Sequence, residues 1–215
     1  MNITTFSHNN IMTWKDFAEM TKAGIRMEVG TKITDTLKDG TEFSAVLVHY
    51  RMHKDKNEAV FAFERCPFRC EMNDDYTNAG GYEATKLRKK LAEFFDMLPD
   101  ELQAVIKKKK IVQTMGDEVH KFKDKLWIPS EYEVFGEEHW GKQEETDVEQ
   151  FEYFKEPINR VHRVEDDCSA CIWWLSSPYV SDTTSFCLVG SAGDADGFAA
   201  CTSRGVLPCF LIRYS

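Results

Sequence analysis

The sequence lacks any long apolar run. No window of its 215 residues approaches the roughly 18 consecutive apolar residues of a membrane-spanning helix. Residues 1–10 also lack the charged and then apolar pattern of a secretory signal peptide. We therefore expect no membrane insertion and no Sec-type export. The length, with 42% apolar side chains, predicts one globular domain over residues 1–215.

Basic charge is scarce. Lys and Arg number 27 against 36 Asp and Glu, so the formal net charge is −9. This balance disfavours a phosphate-backbone partner, and we expect no nucleic-acid binding. Ten of the carboxylates, against two lysines, fall within residues 131–156. That segment is typical of a solvated acidic loop.

The cysteines do not suggest a disulfide scaffold, because they number seven in a chain without an export signal. Two pairs, Cys66-x3-Cys70 and Cys168-x2-Cys171, offer four thiolates of the kind that hold structural zinc. The first spacing is loose and the pairs lie far apart in the chain. We therefore expect no metal ion and no cofactor.

The first half of the chain alternates helical and strand patterns. Thr13 is a candidate N-cap for a short amphipathic helix that ends at Gly24. Residues 43–52 and 59–66 are β-rich and predict a hairpin. Four of its side chains should face a core: Val46, Val48, Phe61 and Phe63.

After Gly81 the apolar spacing becomes helical up to Phe95, and Pro99 opens a second helix through Ile106. The lysines of residues 107–110 should then lie at that helix's C-terminal end, where they complement the helix dipole. Residues 111–115 and 119–128 predict strands around a turn at residues 116–117. Residues 130–133 form a capping box for a short helix.

The C-terminal segment lacks five residue types. Residues 175–215 contain no Lys, Glu, Gln, Met or Trp. Burial in a turn-rich β region explains this poorly, because the segment is rich in the Ser, Thr, Asp and Gly of exposed turns. Codons that end in a pyrimidine encode fifteen amino acids and omit these same five. Randomising the adenines of AAC codons generates that set.

Two motifs in this region resemble known signatures. The run Trp173–Pro178 and residues 205–212 are similar to the WWLRSP and GV(R/A)P(A/G)F motifs of a family of phage and bacterial proteins. Many of its members are variable proteins of diversity-generating retroelements. Residues 78–82, 125–131 and 151–154 are also similar, so that the likeness covers most of residues 70–212. The chain departs from the motifs at Ser176 and Leu207, where arginine is frequent, and at Cys209, where a small residue is usual.

The family's template V-N-S-N-G-N-A-N-N-N-A aligns between these motifs. Its fixed letters are kept at Val189, Ser191, Gly193, Ala195 and Ala199. Its variable asparagines fall at Gly190, Ala192, Asp194, Asp196, Gly197 and Phe198.

The resemblance implies an α+β, C-type-lectin-like fold, which formylglycine-generating enzymes share, with a small twisted antiparallel sheet, two or more helices and long irregular loops. Residues 1–69 would add an N-terminal helix and hairpin to a lectin-like core over residues 70–215, with a variable region at about 176–204. Paired tryptophans and β-branched residues at strand spacing are typical of packing. The expected core residues are Trp173, Leu175, Phe186, Val189, Val206, Phe210 and Ile212.

The same resemblance implies a displayed binding surface for an unknown protein or cell-surface ligand, on a phage virion or in the bacterial cytoplasm. Tyr179 and Phe198 are the strongest candidates for energetic hot spots. An oligomer is left open. The predicted binding residues are Tyr179, Asp182, Thr184, Ser185, Leu188, Gly190, Ala192, Asp194, Asp196, Gly197, Phe198, Ala200, Cys201, Ser203 and Arg204.

Two alternatives belong to other classes of protein. One is a fixed structural or binding module of a phage or bacterium. The other is a thiol-dependent enzyme of the formylglycine-generating type, with Cys187 and either Cys201 or Cys209 as its reactive pair. Calcium is not implied, because Asp194 and Asp196 supply far fewer oxygens than calcium takes.

Overall fold

The computed structural model describes residues 5–6, 12–53, 56–115, 118–141, 148–164 and 169–213. Within them the fold is mixed α+β and mostly sheet, with a curled, antiparallel half-barrel sheet, which confirms the predicted α+β class. None of the helices in these ranges is long and apolar enough to cross a bilayer. The four α-helices are α1 (Trp14–Lys22), α2 (Lys86–Phe95), α3 (Asp100–Val105) and α4 (Glu131–Phe135).

Sixteen strands lie in the described ranges. The first nine are β1 (Thr5–Phe6), β2 (Lys32–Thr36), β3 (Glu42–His53), β4 (Lys56–Phe63), β5 (Phe68–Cys70), β6 (Ile106–Lys107), β7 (Lys109–Met115), β8 (Glu118–Asp124) and β9 (Leu126–Trp127). The others are β10 (His162–Arg163), β11 (Ala170–Cys171), β12 (Trp173–Pro178), β13 (Ser185–Val189), β14 (Ala195–Ala199), β15 (Arg204–Val206) and β16 (Cys209–Arg213).

The larger sheet joins the two ends of the chain. Its order is β1-β2-β3-β4-β16-β6, and β9 also pairs with β16. The predicted hairpin of β3 and β4 is confirmed, and all four side chains expected to face the core are buried. β16 runs antiparallel to β4, with Cys209 opposite Ala62 and Ile212 opposite Ala59. The sheet therefore crosses the boundary expected between residues 1–69 and 70–215.

Helix α1 is explained by its cap and its apolar face. The Thr13 side chain accepts from the backbone N–H of Asp16, whose carboxylate accepts in return from the N–H of Thr13. Trp14 and Phe17 pack edge-on against Phe61 of β4, with ring centroids 5.4 and 5.0 Å away. The predicted helix is confirmed, and it covers one face of the larger sheet.

The prediction for the lysines of residues 107–110 is wrong. Helix α3 ends at Val105, and these lysines lie in and between β6 and β7. The reason is Ile106, whose side chain is buried and whose backbone pairs with Ile212 of β16. At Ile106, pairing with the larger sheet is more favourable than a further turn of helix α3. The predicted turn at residues 116–117 lies outside the described residues.

The acidic segment is not a solvated loop throughout. The capping box of Ser130 and Glu133 forms α4 as predicted, yet Glu131 and Glu133 are both only 2% exposed. Glu133 is ion-paired with the buried Lys109 of β7, whose ammonium also lies 4.7 Å from the centroid of the Trp127 ring. Burial of these carboxylates is tolerated because each has strong hydrogen-bond donors. Residues 142–147 lie outside the described part.

The smaller sheet carries the first C-terminal motif and the start of the second, which continues into β16 of the larger sheet. Its order is β14-β13-β12-β15-β5, and β12 lies between an antiparallel and a parallel neighbour. All seven residues that the sequence predicts as core are buried, five of them in this sheet and Phe210 and Ile212 in β16, which confirms that prediction. Gly205 is required beside Trp173, because a Cβ at residue 205 would lie 3.0 Å from the Sγ atoms of both Cys66 and Cys171.

Candidate binding surface

The candidate surface is built around the edge strand β14. Among the described residues, β14 pairs with β13 alone. Phe198 lies opposite Phe186, so the two side chains point to the same side of the sheet, and Gly197 turns to the other side. Phe198 is 45% exposed. Side chains on both faces of β14 are therefore accessible at this edge of the smaller sheet.

On the first face, Phe198 is covered by a cation. The guanidinium carbon of Arg204 lies 4.6 Å from the centroid of the Phe198 ring. In the turn that follows β14, Cys201 is hydrogen-bonded to the exposed Tyr76, and this contact raises the pKa of Tyr76. Aromatic and cationic side chains that remain partly exposed are typical of recognition surfaces.

On the second face, two aromatic rings stack beside Gly197. The indole of Trp140 and the phenol of Tyr179 are nearly parallel, at 12°, with ring centroids 5.4 Å apart. The Tyr179 ring lies against Gly197 so closely that a Cβ at residue 197 would come within 2.4 Å of a ring carbon. Glycine at this position therefore lets the aromatic pair lie on the strand.

Glu131 holds Trp140 in this position. Its buried carboxylate accepts from the backbone N–H groups of His139, Trp140 and Gly141, at 3.1, 3.2 and 2.7 Å. The carbonyl of Trp140 in turn accepts from the N–H of Val180, at 2.9 Å. The segment that carries Trp140 is thus fixed both to α4 and to the chain that follows β12.

Asn78 fixes the loop between β12 and β13. Its side-chain amide donates to the carbonyls of Tyr179, Asp182 and Ser185, at 3.2, 2.7 and 2.9 Å. Within the loop, the Asp182 carboxylate accepts from the side chains of Thr184 and Ser185, and these bonds lower the pKa of Asp182. The loop therefore keeps a carboxylate charged beside the stacked rings.

Most of the predicted binding residues lie on this surface. The exposed ones are Ala192, Asp194, Asp196, Phe198 and Ser203. Those partly exposed are Tyr179, Asp182, Thr184, Gly197, Cys201 and Arg204. The structure places Tyr179 and Phe198, the two expected hot spots, on opposite faces of β14.

Four predicted binding residues are buried, so the expectation that they are displayed is wrong: Ser185, Leu188, Gly190 and Ala200. Leu188 lies in β13 between two neighbouring strands, opposite Trp174. The backbone of Ala200 bonds to both Thr184 and Asn73. At Gly190 a Cβ would lie 2.5 Å from a carboxylate oxygen of Asp194.

Sequence reasoning missed Trp140 and Tyr76. Both lie outside the expected variable region, at positions far from β14 in the chain. The available signal was Trp140 itself, an aromatic residue within an otherwise charged and polar segment. Only the fold shows that it stacks on Tyr179.

The three cysteines considered for thiol chemistry lie in different elements, with Cys201 partly exposed in the turn after β14. Cys187 lies in the smaller sheet and Cys209 in the larger one, and both are buried. Burial raises the pKa of the Cys209 thiol, which disfavours the reactive thiolate. Among the described residues, no group of three or more His, Cys, Asp or Glu side chains is placed to hold a metal ion. Cys168, one of the four candidate zinc ligands, lies outside them.

Comparison with known proteins gives one finding. No curated protein and no solved structure matches the chain. Residues 46–214 match the model of a family described as a domain of unknown function, DUF6273. This match begins within β3 and ends after β16, so it includes the smaller sheet, the larger sheet from within β3 onward and the candidate binding surface. The chain belongs to the DUF6273 family.

Proposed function

We propose that this protein is a binding protein rather than an enzyme, and that it presents a hypervariable surface around β14 to a protein or cell-surface ligand. In this proposal adenine mutagenesis from a diversity-generating retroelement changes the sequence of that surface. The C-type-lectin-like identity of the fold is part of the proposal. It is supported by a small, mainly antiparallel sheet with irregular connections that carries the first C-terminal motif and the start of the second.

The observation that carries the proposal is the composition of exposed positions. In the described part of residues 12–174, Lys or Glu occupies 22 of 49 exposed positions. In residues 175–213 neither occupies any of nine exposed positions. Burial therefore does not explain why these residue types are missing. A codon restriction does, because it acts on exposed and buried positions alike.

The template positions support the same interpretation. Of the six positions that align with variable asparagines, four are exposed: Ala192, Asp194, Asp196 and Phe198. The fixed letters include Val189, which is buried, and Gly193, whose φ of 86° favours glycine. Variation would thus act mainly where side chains reach solvent. The residues at the fixed positions would stabilise the hairpin formed by β13 and β14.

The test is the DNA around the 3′ end of the gene. Codons 176–204 are compared with any near-copy downstream. We expect a non-coding copy that differs only where it carries adenine, together with a reverse-transcriptase gene. Absence of such a copy would overturn the diversification and leave a fixed binding or structural module.

A further inference from the structure

The surface around Trp140 has a chemical preference of its own. Of the five tryptophans, only Trp140 is exposed, at 43%, and the other four are at most 3% exposed. One face of its indole is covered by the Tyr179 ring. An indole that is stacked on one face and still this exposed offers its other face to a partner.

This indole is held in place before a partner arrives. The three backbone hydrogen bonds to Glu131 and the bond from Val180 fix the main chain on both sides of Trp140. Little conformational entropy is then lost when a partner contacts the ring, and this favours affinity. Because Trp140 precedes the variable region, it would be a constant part of an otherwise changing surface.

The charges near the stacked rings are mainly negative. Glu137 and Glu138 precede Trp140, and Asp182 shares the Asn78 clamp with Tyr179. These carboxylates favour a positively charged partner.

Three cationic or titratable side chains that the structure describes around this surface already have partners. Arg204 lies over the Phe198 ring, and Arg160 lies over the Phe135 ring while its Nε donates to the carbonyl of Phe154. His139 lies 3.5 Å from Glu137. Between residues 175 and 204 no lysine and no second arginine is present. In the described part of the chain, no cation lies over the open face of the Trp140 indole.

We propose that Trp140 and Tyr179 form a cation-binding aromatic site, and that the partner contributes an arginine or lysine side chain from a basic protein segment. This inference rests on the proposed binding function and names the chemistry of its ligand. A cation over an indole face is attracted by the ring's electron density, and tryptophan is the strongest of the aromatic side chains in this respect. The carboxylates add attraction at longer range.

The test uses an acetylated and amidated eight-residue peptide of alternating glycine and arginine, titrated into the full chain at about 0.15 M ionic strength, where charges are screened beyond about 8 Å. Binding is followed by tryptophan fluorescence and by anisotropy of a labelled peptide. We expect a saturable fluorescence change from Trp140. We also expect Trp140→Ala to weaken binding about fivefold or more, and Trp140→Phe to restore part of the loss.

A matched pair of double variants separates local attraction from net charge. Glu137→Gln with Glu138→Gln, and Glu28→Gln with Glu42→Gln, each remove two exposed carboxylates. Only the first pair lies within three residues of Trp140. We expect the first double variant to weaken peptide binding at least threefold more than the second. Equal effects of the two, unchanged affinity in Trp140→Ala, or no saturable binding would each overturn the inference.

These outcomes are distinct from those of the DNA comparison. A near-copy in the DNA without peptide binding would leave the diversified surface in place and reject the cationic ligand. Peptide binding through Trp140 without a near-copy would support a fixed basic-segment binder and reject the diversification.

Discussion

Phe198 and Phe186 lie directly opposite each other on β14 and β13, yet Phe198 is 45% exposed and Phe186 is fully buried. They are the same residue type on the same side of one sheet. The difference arises because β13 has neighbours on both sides and β14 on one. Substituting each of them can therefore distinguish a side chain that is exposed for binding from one that the fold requires.

Replacing each phenylalanine by alanine should give opposite results. Phe198→Ala should lower the free energy of unfolding by only about 1–2 kcal/mol, because nearly half of its side chain is already exposed. Phe186→Ala should cost about 3–5 kcal/mol through the cavity it leaves. Urea unfolding measures both. Phe198→Ala with Tyr179→Ala should also abolish binding of a partner. A loss of several kcal/mol in Phe198→Ala would show that it is a core residue.

Gly197→Ala should displace Tyr179. The new Cβ would lie 2.4 Å from a ring carbon, and the ring, as the end of a side chain, can move away. The stack on Trp140 would then open, and acrylamide should quench the fluorescence of Trp140 more strongly. Ala192→Ser, an exposed change in the preceding turn, serves as the control. Identical quenching in both variants would contradict the contact.

Glu131→Ala should destabilise the protein and release Trp140. The change leaves three backbone N–H groups without their acceptor, and we expect a loss of about 2 kcal/mol together with increased quenching of Trp140. Glu137→Ala is the matched control, because its carboxylate is exposed and is paired with His139 rather than with these backbone N–H groups. The assignment would fail if the two variants had the same stability.

His162 should make stability depend on pH. Burial lowers its pKa to about 4. Its Nδ1 lies 2.8 Å from the carbonyl of Glu64 and so donates to it, and its Nε2 has no partner in the described structure. Between about pH 6.5 and pH 4 the unfolded chain binds a proton that the folded chain does not. The free energy of unfolding should therefore fall as pH drops through this window, by up to about 3 kcal/mol.

The control is His162→Gln, measured by urea unfolding between pH 7 and pH 5. The variant should be less stable at pH 7 and should lose less stability on acidification than the parent protein. Part of the dependence should remain, because burial also lowers the pKa of His49. Parallel pH profiles for the two proteins would show that His162 does not contribute.

Local patterns predicted much of the fold. The N-cap at Thr13, the capping box at Ser130 and the apolar alternation of β3 and β4 each act over a few residues, and the structure confirms them. The lysines of residues 107–110 were misplaced because Ile106 pairs with Ile212, a contact more than one hundred residues away in sequence. Such pairing leaves no local signature.

The candidate site was predictable only where its residues are contiguous. Asp194, Asp196 and Phe198 follow from one short segment and are exposed as expected. Leu188 and Ala200 were misassigned because exposure depends on the neighbouring strand and loop, which composition does not indicate. Trp140 belongs to the surface because it contacts Glu131 and Tyr179, which lie in separate parts of the chain.

The single neighbour of β14 has a consequence for evolution. Substitutions at outward positions of this strand disturb few contacts of the buried interior, so the chain can accept new sequences there with little loss of foldability. The side chain of Asp196 accepts a hydrogen bond from the N–H of Gly197, so that one fewer backbone donor is free to pair with a strand of another molecule. The strand is thus open to mutation while its exposed backbone is partly protected against aggregation.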